Sequence, residues 1–222
     1  MEMHRAMKLR RISPLLWVPA ALLVRAPASA MPAAAHLKPA ARTAGLSLAS
    51  AQAFQRKWQR LSEPAPSSDS LAPIIVTDQE VNSYLKFYGS TFLPPGVYRP
   101  ILHIEPTGVQ GTAVVNFDQL NSSESQSNEL GGSLLGLLFK GWQPVRAFGR
   151  IVASPGACAL TIQNVQIGET QLNDWLVNWL LQTYVESKYK IDLSQPLKLP
   201  PYVSRLALAG GEAVFYRRRG GK

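Results

Sequence analysis

The sequence predicts an α+β fold in which a curved antiparallel sheet of β-hairpins wraps against a long apolar helix. Three pairs of segments with apolar and polar residues are each joined by a short turn containing Gly or Pro, which is typical of β-hairpins. Segments with helical periodicity lie between these pairs, as in an α+β domain. The chain has 17 prolines and 16 glycines in 222 residues, which favours many short elements.

The first 30 residues have the organisation of an export signal. A basic start, MEMHRAMKLRR, is followed by the apolar run PLLWVPAALLV and by APASA, where Ala28 and Ala30 fit the pattern before a cleavage site. The apolar run is short for a membrane-spanning helix, which needs about 20 apolar residues. We therefore expect cleavage before Met31 and an exported protein of the periplasm or cell envelope, with an uncleaved N-terminal anchor as the second interpretation.

Residues 31–72 are predicted to form a disordered lead-in that contains a short amphipathic helix and ends in the linker SEPAPSSDS. In the helix, LSLASAQAFQRKWQRL, aromatic residues lie on one stripe and basic residues lie elsewhere. Such a helix can lie on an anionic membrane, and docking onto the domain is an equal alternative. The predicted membrane-contact residues are Phe54, Trp58, Arg56, Lys57 and Arg60.

The α+β domain is predicted over residues 73–216, followed by a basic tail over 217–222. It begins with a short strand at Ile74–Val76 and a helix whose start carries a capping box, Thr77 with Glu80. The segments VYRPILHIE and VQGTAVVNF predict the first hairpin, and the polar segment DQLNSSESQSNE that follows predicts a loop.

The second predicted hairpin joins PVRAFGRIVA to ACALTIQNVQIG through Ser154-Pro155-Gly156. Its second strand changes the parity of its apolar residues between Ile162 and Val165, which predicts a β-bulge near Gln163–Asn164. The third predicted hairpin joins VSRLALA to EAVFYR through Gly210-Gly211.

The most apolar helix is predicted over residues 170–187. Leu172, Trp175, Leu176, Trp179 and Leu180 occupy one stripe, but further apolar residues lie outside it, so one face cannot bury them all. The excess apolar surface must contact a second protein layer, a partner or an apolar ligand.

An apolar ligand would fit a cavity between this helix and the curled sheet. The segment GGSLLGLLFKGW, nearly all apolar, would contribute a second part of the wall. The alternative interpretation for each of these residues is that it packs in a filled core without a ligand. The candidate ligand-binding residues are Leu134, Leu135, Leu138, Phe139, Trp175, Leu176, Trp179 and Leu180.

Catalytic and metal-binding motifs are scarce. His36 and His103 are the two histidines after the predicted signal, and Cys158 is the only cysteine, so no metal site or cofactor is predicted. We predict a protein that is not an enzyme. A hydrolase using carboxylates such as Glu105 and Asp118 ranks below the binding hypotheses.

The charge balance bears on the kind of partner. The segment 63–216 contains nine basic and thirteen acidic residues, a net charge of −4, although the whole chain has a net charge of +9. A nucleic-acid-binding domain normally has a basic folded body, so nucleic acid is not expected. The expected partner is a lipid or a membrane surface, and the sequence names no protein partner.

The succession IIVTDQEVNSYL, V-x-G-x-A-V-V-N-F-D, QPVRAFGRI, VQIG and PLKLPPYVSRLALAGGEAVF resembles exported bacterial proteins of unassigned function. Their layout is similar to that of the LmeA-like phospholipid-binding proteins of the tubular lipid-binding (TULIP) superfamily. The resemblance implies a long helix held in a curved sheet, with an apolar groove for acyl chains. We therefore predict a non-catalytic envelope protein that binds a lipid or other apolar ligand; the alternative is a structural or scaffolding envelope protein with a filled core and a protein-interaction surface.

Overall fold

The computed structural model describes residues 45–64, 72–124, 138–182, 192 and 195–218. It confirms the α+β class and the mostly antiparallel, curved sheet, which does not close. The helices are α1 (Leu48–Ser62), α2 (Asp78–Tyr88), α3 (Phe117–Glu124) and α4 (Asp174–Leu180), with a 3₁₀ turn at Gly89–Thr91. The strands are β1 (Ile74–Thr77), β2 (Val97–Glu105), β3 (Gly108–Asn116), β4 (Trp142–Ser154), β5 (Ala157–Ile167), β6 (Thr170–Gln171), β7 (Leu197–Lys198), β8 (Val203–Ala209) and β9 (Glu212–Arg217).

The strands form a large and a small sheet. The large sheet has the order β2-β3-β4-β5-β6, with β7 paired to β5, and the small sheet has the order β1-β9-β8. All pairs are antiparallel, and the three predicted hairpins are confirmed as β2–β3, β4–β5 and β8–β9. The predicted bulge is also confirmed: Phe148 pairs with Asn164 and Gly149 with Ile162, so Gln163 has no opposite residue.

One face of the large sheet, the inner face, carries the buried apolar residues of the β2–β3 and β4–β5 hairpins. Pairing across β2 to β5 places Leu102, Gly111, Ala147 and Val165 in one row of this face. The helices, the small sheet and connecting segments contribute the other side chains of two buried cores. The first core contains Phe54, Trp58, Leu61, Ile74, Val76, Val81, Tyr84, Leu85, Phe92, Leu102, Ile104, Val109, Cys158, Leu199, Val203, Leu206, Ala213 and Phe215. The second core contains Val115, Phe117, Ala147, Leu160, Ile162, Val165, Ile167, Leu172, Val177, Leu180 and Leu181.

Helix α2 begins as its sequence predicts. The hydroxyl of Thr77 accepts a hydrogen bond from the N–H of Glu80 (3.2 Å), and the carboxylate of Glu80 accepts one from the N–H of Thr77 (3.0 Å), which confirms the capping box.

The polar segment after β3 was predicted as a loop, and that prediction is wrong for its first part. Residues Phe117–Glu124 form α3. The side chain of Asn116 accepts hydrogen bonds from the N–H groups of Asp118 and Gln119 (3.1 and 3.2 Å), and Phe117 is buried in the second core. These two contacts compensate for a composition that favours turns.

The predicted apolar helix starts later than expected. Thr170 and Gln171 form β6, and the helix begins at Asp174, where the side chain of Asn173 accepts a hydrogen bond from the N–H of Leu176 (2.9 Å). Helix α4 has seven residues, and residues 183–187 of the predicted helix lie outside the described ranges. No helix in the described ranges combines the length and the apolar character needed to span a bilayer.

The buried face of α4 also differs from the predicted stripe. Val177, Leu180 and Leu181 are buried in the second core, whereas Trp175 is 65% exposed. Val177, Leu180 and Leu181 have the i, i+3, i+4 spacing of one helical face. The docking of β6 and Leu172 before the helix gives it a rotation about its axis that differs from the predicted one. Periodicity alone could not choose between these two faces, because the helix is apolar around much of its circumference.

Candidate functional site

The predicted ligand-binding residues occupy different environments. Leu180 is buried in the second core, and Leu176 and Trp179 are half-buried against it. Trp175 is exposed. These four residues of α4 therefore do not share one solvent-accessible wall.

The predicted second part of the wall lies in the segment before β4. Phe139 is half-buried and packs against the ring of Phe117 with centroids 5.4 Å apart, whereas Leu138 is exposed. Leu134 and Leu135 lie outside the described residues. The structure also contains an open cleft between α2 and β2. None of the predicted ligand-binding residues that the structure describes borders this cleft.

The apolar stripe of α1 is occupied within the domain. Phe54 and Trp58 are buried in the first core, and the ring of Phe54 lies 4.9 Å from that of Tyr84 on α2. Lys57 forms an ion pair with Glu80 at 2.6 Å, while Arg56 and Arg60 are exposed. Docking onto the domain, the alternative expected from the sequence, is thus what this helix does, and its two aromatic side chains are not available at the surface.

The open cleft lies between α2 and the start of β2. Its volume is about 610 Å³, which lies within the range usual for small-molecule sites. The turn between the 3₁₀ helix and β2 forms one wall, and the C-terminal half of α2 forms the other. The lining residues are Leu46, Asn82, Leu85, Lys86, Ser90, Leu93, Pro94, Pro95, Gly96, Val97, Tyr98, Arg99, Pro100 and Ile101.

An irregular stretch of β2 shapes one side of this cleft. Tyr98 pairs with Val114 and Ile101 with Thr112, so Arg99 and Pro100 together oppose Ala113. Arg99 adopts a φ of 48°, a conformation that residues with a bulky side chain rarely adopt. The bulge and the missing N–H of Pro100 remove the regular edge that another strand could pair with. This part of the cleft is therefore suited to a ligand that contacts side chains rather than a strand ladder.

The cleft offers apolar contacts and positive charge. Eight of its fourteen lining residues are leucine, proline, valine or isoleucine, no lining residue is acidic, and Lys86 and Arg99 are exposed. The amide of Asn82 is already used, because it donates to the carbonyl of Leu102 (2.8 Å) and accepts from the N–H of Leu102 (2.7 Å). The arrangement can bind an apolar group and attract an anion.

The segment PPG at 94–96 indicates the end of the preceding helix, but it also bears on the cleft. The closely spaced prolines of FLPPGVYRP were a signal of irregular backbone beside a strand. That signal could have located the bulge, but not the helix that faces it across the cleft.

The groups considered for catalysis are not arranged around a common point. Nδ1 of His103 lies 3.5 Å from a carboxylate oxygen of Asp78, a partner that the sequence did not suggest. Glu105 ends β2, beside the start of β3, whereas Asp118 follows the end of β3, so about 25 Å of strand separates them. The carboxylate of Asp118 accepts a hydrogen bond from the N–H of Gly141. These two carboxylates cannot act on one bond.

The side chains that could bind a metal ion also do not form a cluster in the described residues. Among the described residues, no group of three or more His, Cys, Asp or Glu side chains is placed to hold a metal ion.

We expect Cys158 to resist thiol reagents in the folded protein. It is buried in the first core, and burial raises the pKa of its thiol to about 12, so the reactive thiolate is scarce at pH 8. Modification by a chromogenic disulfide should be slow in buffer and rapid in urea. Cys158→Ala provides the blank, and equally rapid modification with and without urea would contradict the buried position.

The fold and the cleft define an α+β domain with a mostly antiparallel sheet and a ligand-sized, mainly apolar cleft beside one edge strand. No protein-family model matches the sequence, and no curated protein matches it closely enough to be a relative.

Proposed function

We propose that the protein is an exported, non-catalytic protein of the cell envelope that binds a lipid or another apolar ligand in the cleft between α2 and β2. The observation that carries the proposal is a cleft of about 610 Å³ with an apolar lining and two cations, Lys86 and Arg99, but no acidic residue. An acyl chain would lie against the leucine and proline side chains. An anionic head group would lie near the two cations, where opposite charge favours it.

The chemistry of the lining supports an apolar ligand over a peptide. A peptide that adds a strand needs a row of free N–H and C=O groups on an edge strand. Here Pro100 has no N–H, and the positive φ of Arg99 breaks the row. Apolar side chains from both walls instead offer a hydrophobic surface, and burying an alkyl chain there gains about 0.8 kcal/mol per methylene group.

Export and the TULIP-like architecture are parts of the same proposal. The N-terminal signal pattern supports export, and the curved antiparallel sheet supports the likeness to the LmeA-like proteins. A long apolar helix continuing from α4 belongs to that likeness. The cleft beside α2 moves the proposed ligand site away from α4, where the sequence pattern had suggested it.

Filling the cleft tests the proposed site. We expect Leu93→Trp to weaken uptake of a fluorescent fatty acid about tenfold or more, because the indole would occupy space that the acyl chain needs. Uptake is measured by titration of the purified protein, with circular dichroism to verify the fold.

Leu208→Trp is the matched control for this variant. Leu208 is, like Leu93, a half-buried leucine that packs against the first core, but it lies outside the cleft. This variant should bind the fatty acid as the parent protein does. Unchanged uptake by both variants would place the ligand elsewhere.

The alternative is a scaffolding protein of the envelope. It is favoured by the burial of Leu180 and its neighbours in the second core, which fills the space where a cavity against α4 had been expected. Native mass spectrometry of the exported protein separates the two functions. A lipid of fixed stoichiometry supports the binding function; a ligand-free mass, with no uptake of added fatty acid or phospholipid, would favour the scaffold.

A further inference from the structure

An exposed aromatic pair lies next to the cleft. The rings of Tyr98 on β2 and Trp142 on β4 are 4.6 Å apart and inclined by 52°, and the two residues are 40% and 54% exposed. Pairing places both side chains on the outer face of the large sheet, opposite the cores: Tyr98 lies opposite Val114, and Trp142 lies opposite Asn116. Large aromatic side chains usually gain stability from burial, so this pair is costly to leave in water.

The pair has a fixed orientation. The hydroxyl of Tyr98 lies 2.9 Å from Oε1 of Gln119, to which it donates a hydrogen bond. The N–H of Gly141, the residue before Trp142, donates to the carboxylate of Asp118 (3.2 Å). Contacts from α3 therefore hold both strands that carry the pair, and the rings form a preorganised surface.

Three exposed basic residues lie close to the aromatic pair in the chain or along the same sheet face. Arg99 follows Tyr98, Lys140 precedes Trp142 by two residues, and Arg146 lies on the same outer face of β4, about 13 Å along the strand from Trp142. All three side chains are exposed. The carboxylate of Asp118, which accepts a hydrogen bond from the N–H of Gly141, is the nearby acidic group among the described residues, so three cations face one anion. Tryptophan and tyrosine with flanking Arg and Lys are the residues that favour the interface of an anionic bilayer.

The same surface is continuous with the cleft. Tyr98 and Arg99 belong both to the cleft lining and to the aromatic and basic surface. A bilayer that contacts Trp142 and Tyr98 would thus lie at the cleft mouth, where an acyl chain could enter without crossing water.

We propose that the surface formed by Tyr98, Arg99, Lys140, Trp142 and Arg146 docks the protein onto an anionic phospholipid bilayer with the cleft mouth facing the lipid. This inference builds on the proposed lipid-binding function. It replaces the membrane contact expected from α1, whose aromatic residues are buried. The aromatic rings enter the interfacial region, and the three cations lie among the head groups.

The test is co-sedimentation of the full chain with vesicles made of equal parts phosphatidylglycerol and phosphatidylcholine. Trp142→Ser should weaken partitioning about tenfold, because an exposed indole is lost from the interface. Vesicles of phosphatidylcholine alone should bind the parent protein more weakly, since the three cations then lack anionic partners.

Val152→Ser is the matched control. Val152 is 56% exposed on the same outer face of β4, ten residues from Trp142 and about 33 Å along the strand. This variant should partition like the parent protein. Equal loss in both variants, or no loss in Trp142→Ser, would overturn the proposal.

A second readout separates docking from ligand binding. Trp142 does not line the cleft, so Trp142→Ser should take up a dispersed fluorescent fatty acid normally while losing vesicle binding. Failure of the parent protein to take up the fatty acid, with vesicle binding intact, would reject the cleft function and retain the docking surface. Self-association that Trp142→Ser abolishes, without vesicle binding by the parent protein, would assign the surface to a second copy and overturn the proposal.

Discussion

Replacing Gly108 with alanine is expected to lower the free energy of unfolding by about 3 kcal/mol or more, or to prevent folding. A Cβ atom at this position would lie 2.1 Å from the carbonyl oxygen of Gly149 and 2.9 Å from the Cα of Arg150. Both atoms belong to the backbone of β4, which pairs with β3 here, so no side-chain rotation can relieve the overlap. Urea unfolding followed by circular dichroism measures the loss.

Gly210→Ala is the control for Gly108→Ala. Gly210 lies in the β8–β9 turn, and a Cβ atom there would have no heavy atom within 4 Å. We expect a change of less than about 1 kcal/mol, which can be stabilising because alanine restricts the unfolded chain. Similar stabilities for the two variants would mean that β3 and β4 are further apart at Gly108 than described.

Replacing Asn82 with alanine is expected to cost about 2–5 kcal/mol of stability. Its buried amide makes two hydrogen bonds, at 2.7 and 2.8 Å, with the N–H and C=O of Leu102 on β2. In the large sheet β2 is an edge strand. The amide of Asn82 therefore takes the place of a neighbouring strand as the hydrogen-bond partner of Leu102. The substitution leaves a buried donor and a buried acceptor without partners.

Gln79→Ala separates this effect from the general loss of an amide on α2. Gln79 is exposed, and its side chain donates a single hydrogen bond to the carbonyl of Gly45 (2.8 Å). Thermal and urea unfolding should show a loss of about 1 kcal/mol or less for this variant. An equally small loss of stability for Asn82→Ala would show that water or another group forms hydrogen bonds with the backbone N–H and C=O of Leu102.

The features that the sequence predicted correctly depend on neighbouring residues. A capping box requires only Thr77 and Glu80, and the β4–β5 bulge follows from a change of parity between Ile162 and Val165. Turn residues similarly mark the three hairpins. In each case the determining groups lie within a few positions of one another, so their pattern is visible before any tertiary contact is known.

The features that the sequence could not predict depend on distant residues. The rotation of α4 is set by packing against the second core, and its apolar residues allow more than one choice. The cleft needs α2 and β2 at a fixed separation, which the pairing of Asn82 with Leu102 helps to set. Helix α3 likewise gains from burial of Phe117, a contact that composition does not reveal.

The pairing of β1 with β9 has a consequence for the order in which the chain folds. Strand β1 pairs in the small sheet only with β9, Ile74 opposite Phe215, and Nη2 of Arg217 donates a hydrogen bond to the carbonyl of Glu63 at the end of α1. The contacts of β1 and of the end of α1 with β9 therefore form only after β9 has been synthesised, and such long-range closure slows folding. A nascent chain of this design stays without its completed first core until β9 has emerged from the ribosome, so any factor that meets the chain before then meets an incompletely folded polypeptide.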